Sequence, residues 1–96
     1  AVDLYKDRFI AYSLGNFATF KRFNLSGGRG LSPLIQVIVN SKGEFIRGKI
    51  ISARQIELGI PKLDSNNEAA KEIKKLTELD FPESELIIDN SGNITF

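Results

Sequence analysis

The sequence predicts an α+β domain: antiparallel β hairpins with one amphipathic helix packed on a sheet face. Three observations predict it. Short runs rich in Val, Ile, Phe and Tyr are separated by turn-forming dipeptides; one stretch, 66–79, carries apolar residues at helical spacing; and the order is strands, one helix, strands, without βαβ alternation. Ninety-six residues fit one small domain, with residues 1–60 supplying strands and a long loop and 61–96 the helix and a closing hairpin. A hydrophobic share of 42% against 26% charged residues sets the chain among globular proteins and apart from disordered ones.

The first hairpin joins AVDLYK (1–6) to RFIAYSL (8–14) through Lys6-Asp7, where Asp tolerates the left-handed backbone a tight turn needs. In the second run Phe9, Ala11 and Ser13 alternate with Ile10, Tyr12 and Leu14. Both faces carry bulk, which predicts a central strand covered on both sides. GNFATFKRFNLSGGRGLSP (15–33) then breaks the pattern. Its glycines and closing proline predict a loop longer than the roughly 12–15 residues usual in compact domains, pinned by Phe17, Phe20, Phe23 and Leu25.

LIQVIVN (34–40) and GEFIRGKIISARQIEL (43–58) form the clearest hairpin, turning through Asn40-Ser41-Lys42-Gly43. The second arm places Ile46, Gly48, Ile50 and Ser52 on one side, with Phe45, Arg47, Lys49 and Ile51 on the other. It is too long for one strand, so a bend or bulge is expected near Gly48 or Ser52-Ala53, and Gly59-Ile60-Pro61 ends it. Ser65 and Glu68 have the spacing of a capping box for the helix 66–79, whose inward face reads Ala69, Ala70, Ile73, Leu76 and Leu79. Asp80-Phe81-Pro82 stops it. ELIID (85–89), a turn at Asn90-Ser91-Gly92 and NITF (93–96) close the chain, the last turn echoing NSKGEFI earlier.

Cysteine and histidine are both absent, which removes disulfides, thiol chemistry, the usual general base and the commonest metal ligand. No apolar run reaches the ~20 residues of a membrane-spanning helix. Charge is segregated: residues 1–63 hold ten Lys/Arg against four Asp/Glu, and 64–96 hold three against eight. The basic half, with no acid between Asp7 and Glu44, would attract anions or pair with the acidic half within the fold.

Three stretches, AYSLGNF at 11–17, IELGIPKLD at 56–64 and KKLTELDF at 74–81, give the chain a resemblance to the C-terminal portion of the capsule-biosynthesis, poly-gamma-glutamate-synthesis (CapA-type) proteins. That family is similar to calcineurin-like metallophosphoesterases. The resemblance implies a fragment of a two-layer phosphoesterase-like fold whose metal ligands lie in motifs upstream, with no matching position here. It also implies a bacterial parent that is exported or attached to the cell envelope and binds divalent metals. Ala1, lying within a strand-like run, is expected to continue from a longer polypeptide. Lys6-Asp7 departs from the commoner Lys-Gly turn of the family.

On this reading the chain is not an enzyme by itself, binds no cofactor of its own, completes a sheet of its parent and borders the substrate cleft. Gly15 and Asn16 would sit at the cleft edge, or simply start the loop with positive φ. Lys21, Arg22 and Arg29, with Gly27 and Gly28, would contact a polyanionic, carboxylate-rich polymer. An alternative is a stand-alone anion- or phosphate-binding module through SGGRG (26–30), whose glycine-rich backbone lacks the Gly-Lys-Ser/Thr of a phosphate loop. FKRF (20–23) would stack on nucleic acid, but the near-neutral net charge of +1 and the acidic last third argue against that partner. Asp80, Glu83 and Glu85 read as ordinary surface acids. Unpaired edges at the first strand or at 34–40 would favour self-association.

Overall fold

The computed structural model describes residues 1–15, 17, 30–57 and 59–96. These form β1 (Val2–Tyr5), β2 (Arg8–Ala11), β3 (Leu34–Val39), β4 (Phe45–Ile51), β5 (Ala53–Glu57), β6 (Ile60–Leu63), α1 (Glu68–Asp80), β7 (Ile87–Ile88) and β8 (Asn93–Thr95). The α+β class holds. Every strand pair is antiparallel, in a four-stranded sheet ordered β3-β4-β8-β7 and two ribbons, β1-β2 and β5-β6.

The main sheet has one covered face and one bare face. Cross-strand partners share a face, so the pairs Ile35↔Ile50, Val37↔Gly48, Gly48↔Ile94 and Ile88↔Ile94 put these side chains together. With Val2, Phe45, Ala70, Ile73 and Leu86 they build the core, Ile50, Ile94, Ala70 and Val2 being inaccessible to solvent. Burying each large aliphatic side chain contributes about 1.5–3 kcal/mol. Leu4 and Phe9 of the first ribbon and Leu14 just after it close the core, and Phe9 stacks on Phe45 at 5.5 Å.

The strand reading of 8–14 requires two corrections. β2 ends at Ala11, and among the described residues it is not a central strand, because it pairs there with β1 alone. Its bulk on both faces is met differently: Phe9 packs on the core, while Tyr12, past the strand end, stacks on Phe81 at 5.0 Å. Lys6 and Asp7 both take positive φ (47° and 64°), as the tight turn requires, and the Asp7 carbonyl accepts the Phe45 amide at 2.8 Å.

The long arm 43–58 breaks at Ser52, where the chain leaves the main sheet for the β5-β6 ribbon. A bulge also occurs, at Ile46 and not at Gly48: Ile38 pairs with Arg47 and Val39 with Phe45, leaving Ile46 as the extra residue. The bulge exchanges the faces assigned to 45 and 46, so Phe45 is buried and Ile46 is exposed. Gly59 ends β5 as expected, but Ile60–Leu63 continues as β6 and returns along it.

The helix runs Glu68–Asp80, displaced from 66–79, and the capping box does not form. Asn67 adopts a left-handed conformation at the N-cap without a side-chain bond, and Asp64 serves in place of Ser65. Its carboxylate accepts the amides of Asn66 and Glu68 at 3.0 and 3.1 Å. A further orphan donor, the Ala70 amide, is met by Ser52 Oγ at 3.0 Å. The inward face reads Ala69, Ala70, Ile73 and Thr77; Leu79 is two-thirds exposed, contrary to its helical spacing. Thr77 takes the inward place because its Oγ1 accepts the buried Val2 amide at 3.1 Å. Leaving such a donor unpaired costs about 1–3 kcal/mol.

The two hairpin turns, at 40–44 and 89–93, have one bonding pattern. Asn40 Oδ1 accepts the amides of Lys42 and Glu44 at 2.9 and 3.0 Å; Asp89 Oδ1 accepts those of Ser91 and Asn93, both at 2.9 Å. Gly43 and Gly92 donate to the carbonyls of Asn40 and Asp89, and each turn adds a side-chain bond across its ends, Asn40 Nδ2 to Glu44 Oε1 and Asn93 Nδ2 to Asp89 Oδ2. The equivalence runs Asn40 to Asp89, one position earlier than the echo in letters.

Candidate functional site

Of the residues singled out in the sequence, Gly15 is described. Its φ of 72° gives it the left-handed conformation that starts a loop, and nothing lies within 4 Å of where a Cβ would be. Asn16, Lys21, Arg22, Gly27, Gly28 and Arg29 lie outside the described residues, as do all of FKRF and all of SGGRG but Gly30.

The two feet of the 15–33 stretch are firm. Before it, Leu14 packs against the core. After it, Leu31 bridges to Arg54, the buried Ser32 donates its amide to the Ala53 carbonyl at 2.9 Å, and Pro33 is buried. The register of β3 with β4 therefore begins three residues before β3 itself, on β5.

Two concave surfaces are built from described residues. The first, of about 630 Å³, lies between the first hairpin and the end of α1. Asp3 and Asp7 face Asp80, Glu83 and Glu85 there, with Lys6 as the one cation among the lining residues, and Leu4, Phe81 and Pro82 as apolar lining. The fold thus joins the three acids read as surface residues to two more from a distant hairpin. Among the described residues no group of three or more acids is placed to hold a metal ion.

The second surface is the bare face of the main sheet, with a groove of about 490 Å³ lined by Gln36, Ile38, Arg47, Lys49 and Asn93 over the backbone of Val37 and Gly48. The pairs Leu34↔Ile51, Gln36↔Lys49, Lys49↔Asn93, Ile38↔Arg47 and Ile87↔Thr95 set its side chains. Leu34, Ile38 and Ile87 are 47%, 42% and 61% exposed on it. Its charged members are Arg47 and Lys49, the latter donating to Asn93 Oδ1 at 3.3 Å, so the face is apolar and cationic. Sequence alternation had put Arg47, Lys49 and Ile51 together; it carried no signal that α1 packs on the opposite side.

No helix among the described residues is long and apolar enough to cross a membrane. Compared with protein-family models, with curated proteins and with solved structures, the chain matches none.

Proposed function

We propose that the chain is the non-catalytic C-terminal part of a protein similar to the capsule-biosynthesis, poly-gamma-glutamate-synthesis (CapA-type) proteins, where it completes a layered fold and borders a cleft for a polyanionic polymer. The observation that supports this reading is the bare face of the main sheet. The sheet is covered on one side by a helix and leaves Leu34, Ile38 and Ile87 exposed on the other, where a further layer about 10 Å away would bury them. The rest of the parent would supply that layer and the metal-bearing reaction centre, since this chain contributes no His or Cys ligand. The basic residues Lys21, Arg22 and Arg29 would meet the polymer's carboxylates.

The face is tested with Ile87→Lys in the longer protein: its separate catalytic portion binds the wild-type chain and loses the variant, while the variant chain alone keeps its stability within about 0.5 kcal/mol. Equal binding of both chains overturns the reading. Calorimetric titration with poly-gamma-glutamate tests the polymer: replacing Lys21, Arg22 and Arg29 together by Ala weakens binding, most at low salt. Hydrolysis of a phosphoester by this chain alone with Mn²⁺ would sink the non-catalytic assignment.

A further inference from the structure

The edge of the main sheet, as distinct from its bare face, carries a separate inference. β3 forms one outer border of the sheet, and the direction of its amides follows from the pairing. The register runs unbroken from Leu31↔Arg54 to Ile38↔Arg47, and within it Ser32 donates to the Ala53 carbonyl. Antiparallel ladders alternate, so Leu34, Gln36 and Ile38 direct their amide and carbonyl groups at β4. Asn40 keeps the parity beyond the bulge by donating to the Glu44 carbonyl at 3.0 Å. The polar backbone groups of Ile35, Val37 and Val39 therefore point away from the sheet, with no strand beside them among the described residues. Pro33, which has no amide hydrogen, falls on the same outward parity, the strand position where proline is tolerated.

Nothing on β3 guards this edge. LIQVIV contains no charge, no proline and no glycine, and the extra residue of the bulge is on β4, not on the border strand. Natural edges normally carry lysine, proline or a bulge to prevent further pairing.

We propose that β3 is a docking edge for a second copy of this chain, the two β3 strands pairing antiparallel about Val37. In that register Val37 faces its own counterpart and Ile35 faces Val39 of the other copy, so all three outward residues of each strand exchange both backbone bonds. Their side chains lie on the covered side, where half-exposed Val39 gains an apolar neighbour and the two cores become continuous. On the bare side Gln36 meets Ile38. Charge on the paired strands raises no barrier: LIQVIV is neutral, and Arg47 and Lys49 of the two β4 strands stand three strand spacings apart. At ~4.8 Å per spacing that is roughly 14 Å, beyond the Debye length of ~8 Å in physiological salt. The twofold closes the assembly at a dimer.

Sedimentation of the purified chain over a concentration series tests this, with amide hydrogen exchange as a second measurement. The expected result is twice the chain mass at high concentration, with exchange at Ile35, Val37 and Val39 slowing at least tenfold as the dimer forms. Gln36 and Ile38 stay protected throughout. Val39→Pro deletes one outward donor and Ile38→Lys puts a charge on the seam; neither removes a bond to β4, and both give monomers with unchanged circular dichroism. Ile87→Lys, on the opposite border, stays dimeric. A wild-type chain that remains monomeric overturns the proposal. So does a dimer that survives both β3 substitutions, or one abolished by Ile87→Lys.

Discussion

The turns at 40–44 and 89–93 share five hydrogen bonds, yet they sit in different surroundings, and the contrast separates what a turn needs from what the fold needs of it. Each needs a side-chain acceptor at its first position, a residue at positive φ at its fourth, and two amides aimed at the acceptor. Asn40 and Gly43 meet this at an exposed end of the sheet, where a Cβ on Gly43 would touch only Arg8 Nε, at 3.7 Å. Asp89 and Gly92 meet it against β4. The Gly92 carbonyl accepts the Ile50 amide at 2.7 Å, and a Cβ there would collide with the Ile50 carbonyl oxygen. The local chemistry is shared; the tolerance to change is set by the neighbour.

The largest expected effect follows directly. Gly92→Ala combines a φ of 96° with a backbone collision, so chemical denaturation should show a loss of more than about 3 kcal/mol, or no folded protein. Gly43→Ala meets only the conformational penalty and should lose about 1 kcal/mol. Equal losses would mean that the approach to Ile50 is not what distinguishes the turns.

Replacing the acceptors comes next. Asp89→Ala leaves the Ser91 and Asn93 amides without their acceptor beside the core strand β8, and its melting temperature should fall further than that of Asn40→Ala. The reverse order would assign the dominant role to the exposed turn.

The smallest effect is in acid. Hydrogen bonds from the Asn93 side chain and backbone, with those of Ser91 and Gly92, hold the Asp89 carboxyl below its ordinary value of 3.8. A folded value below the unfolded one gives stability that is fully present above pH 3.8 and is lost as pH falls from there through the lower folded value. Asn40 has no proton to gain in that range. NMR titration should therefore show the Ser91 and Asn93 amides moving with the Asp89 carboxyl at a midpoint below 3.8, and Asp89→Asn abolishing that step. A midpoint at or above the ordinary value would remove the distinction.

Much of this was readable in the letters, where the cause is local. Asn, Asp and Gly at fixed offsets gave the turns, the spacing of Ala69, Ala70 and Ile73 gave the helix, and the excess length of 43–58 gave the break at Ser52. What escaped depends on distant partners. Thr77 goes inward, where it meets an amide on Val2 from the other end of the chain, while Leu79 faces solvent. Asp64 displaces Ser65 as cap because Asn67 turns left-handed. β8 lies beside β4 through pairings some 45 residues apart, which no local pattern encodes. The acidic cleft was invisible for the same reason, its two walls coming from the first hairpin and the end of α1. The basic loop residues were legible as composition only, and a groove on the bare face needed the helix to choose its side.

Ser52 joins three parts of the molecule at one residue. Its carbonyl accepts the Asp64 amide, its hydroxyl accepts the Ala70 amide, and Ala53 beside it holds Ser32. The strand leading into β3 and the opening turn of α1 are thus held at adjacent residues, Ala53 and Ser52. Loosening this junction would leave the Ala70 amide in the first turn of α1 without its acceptor.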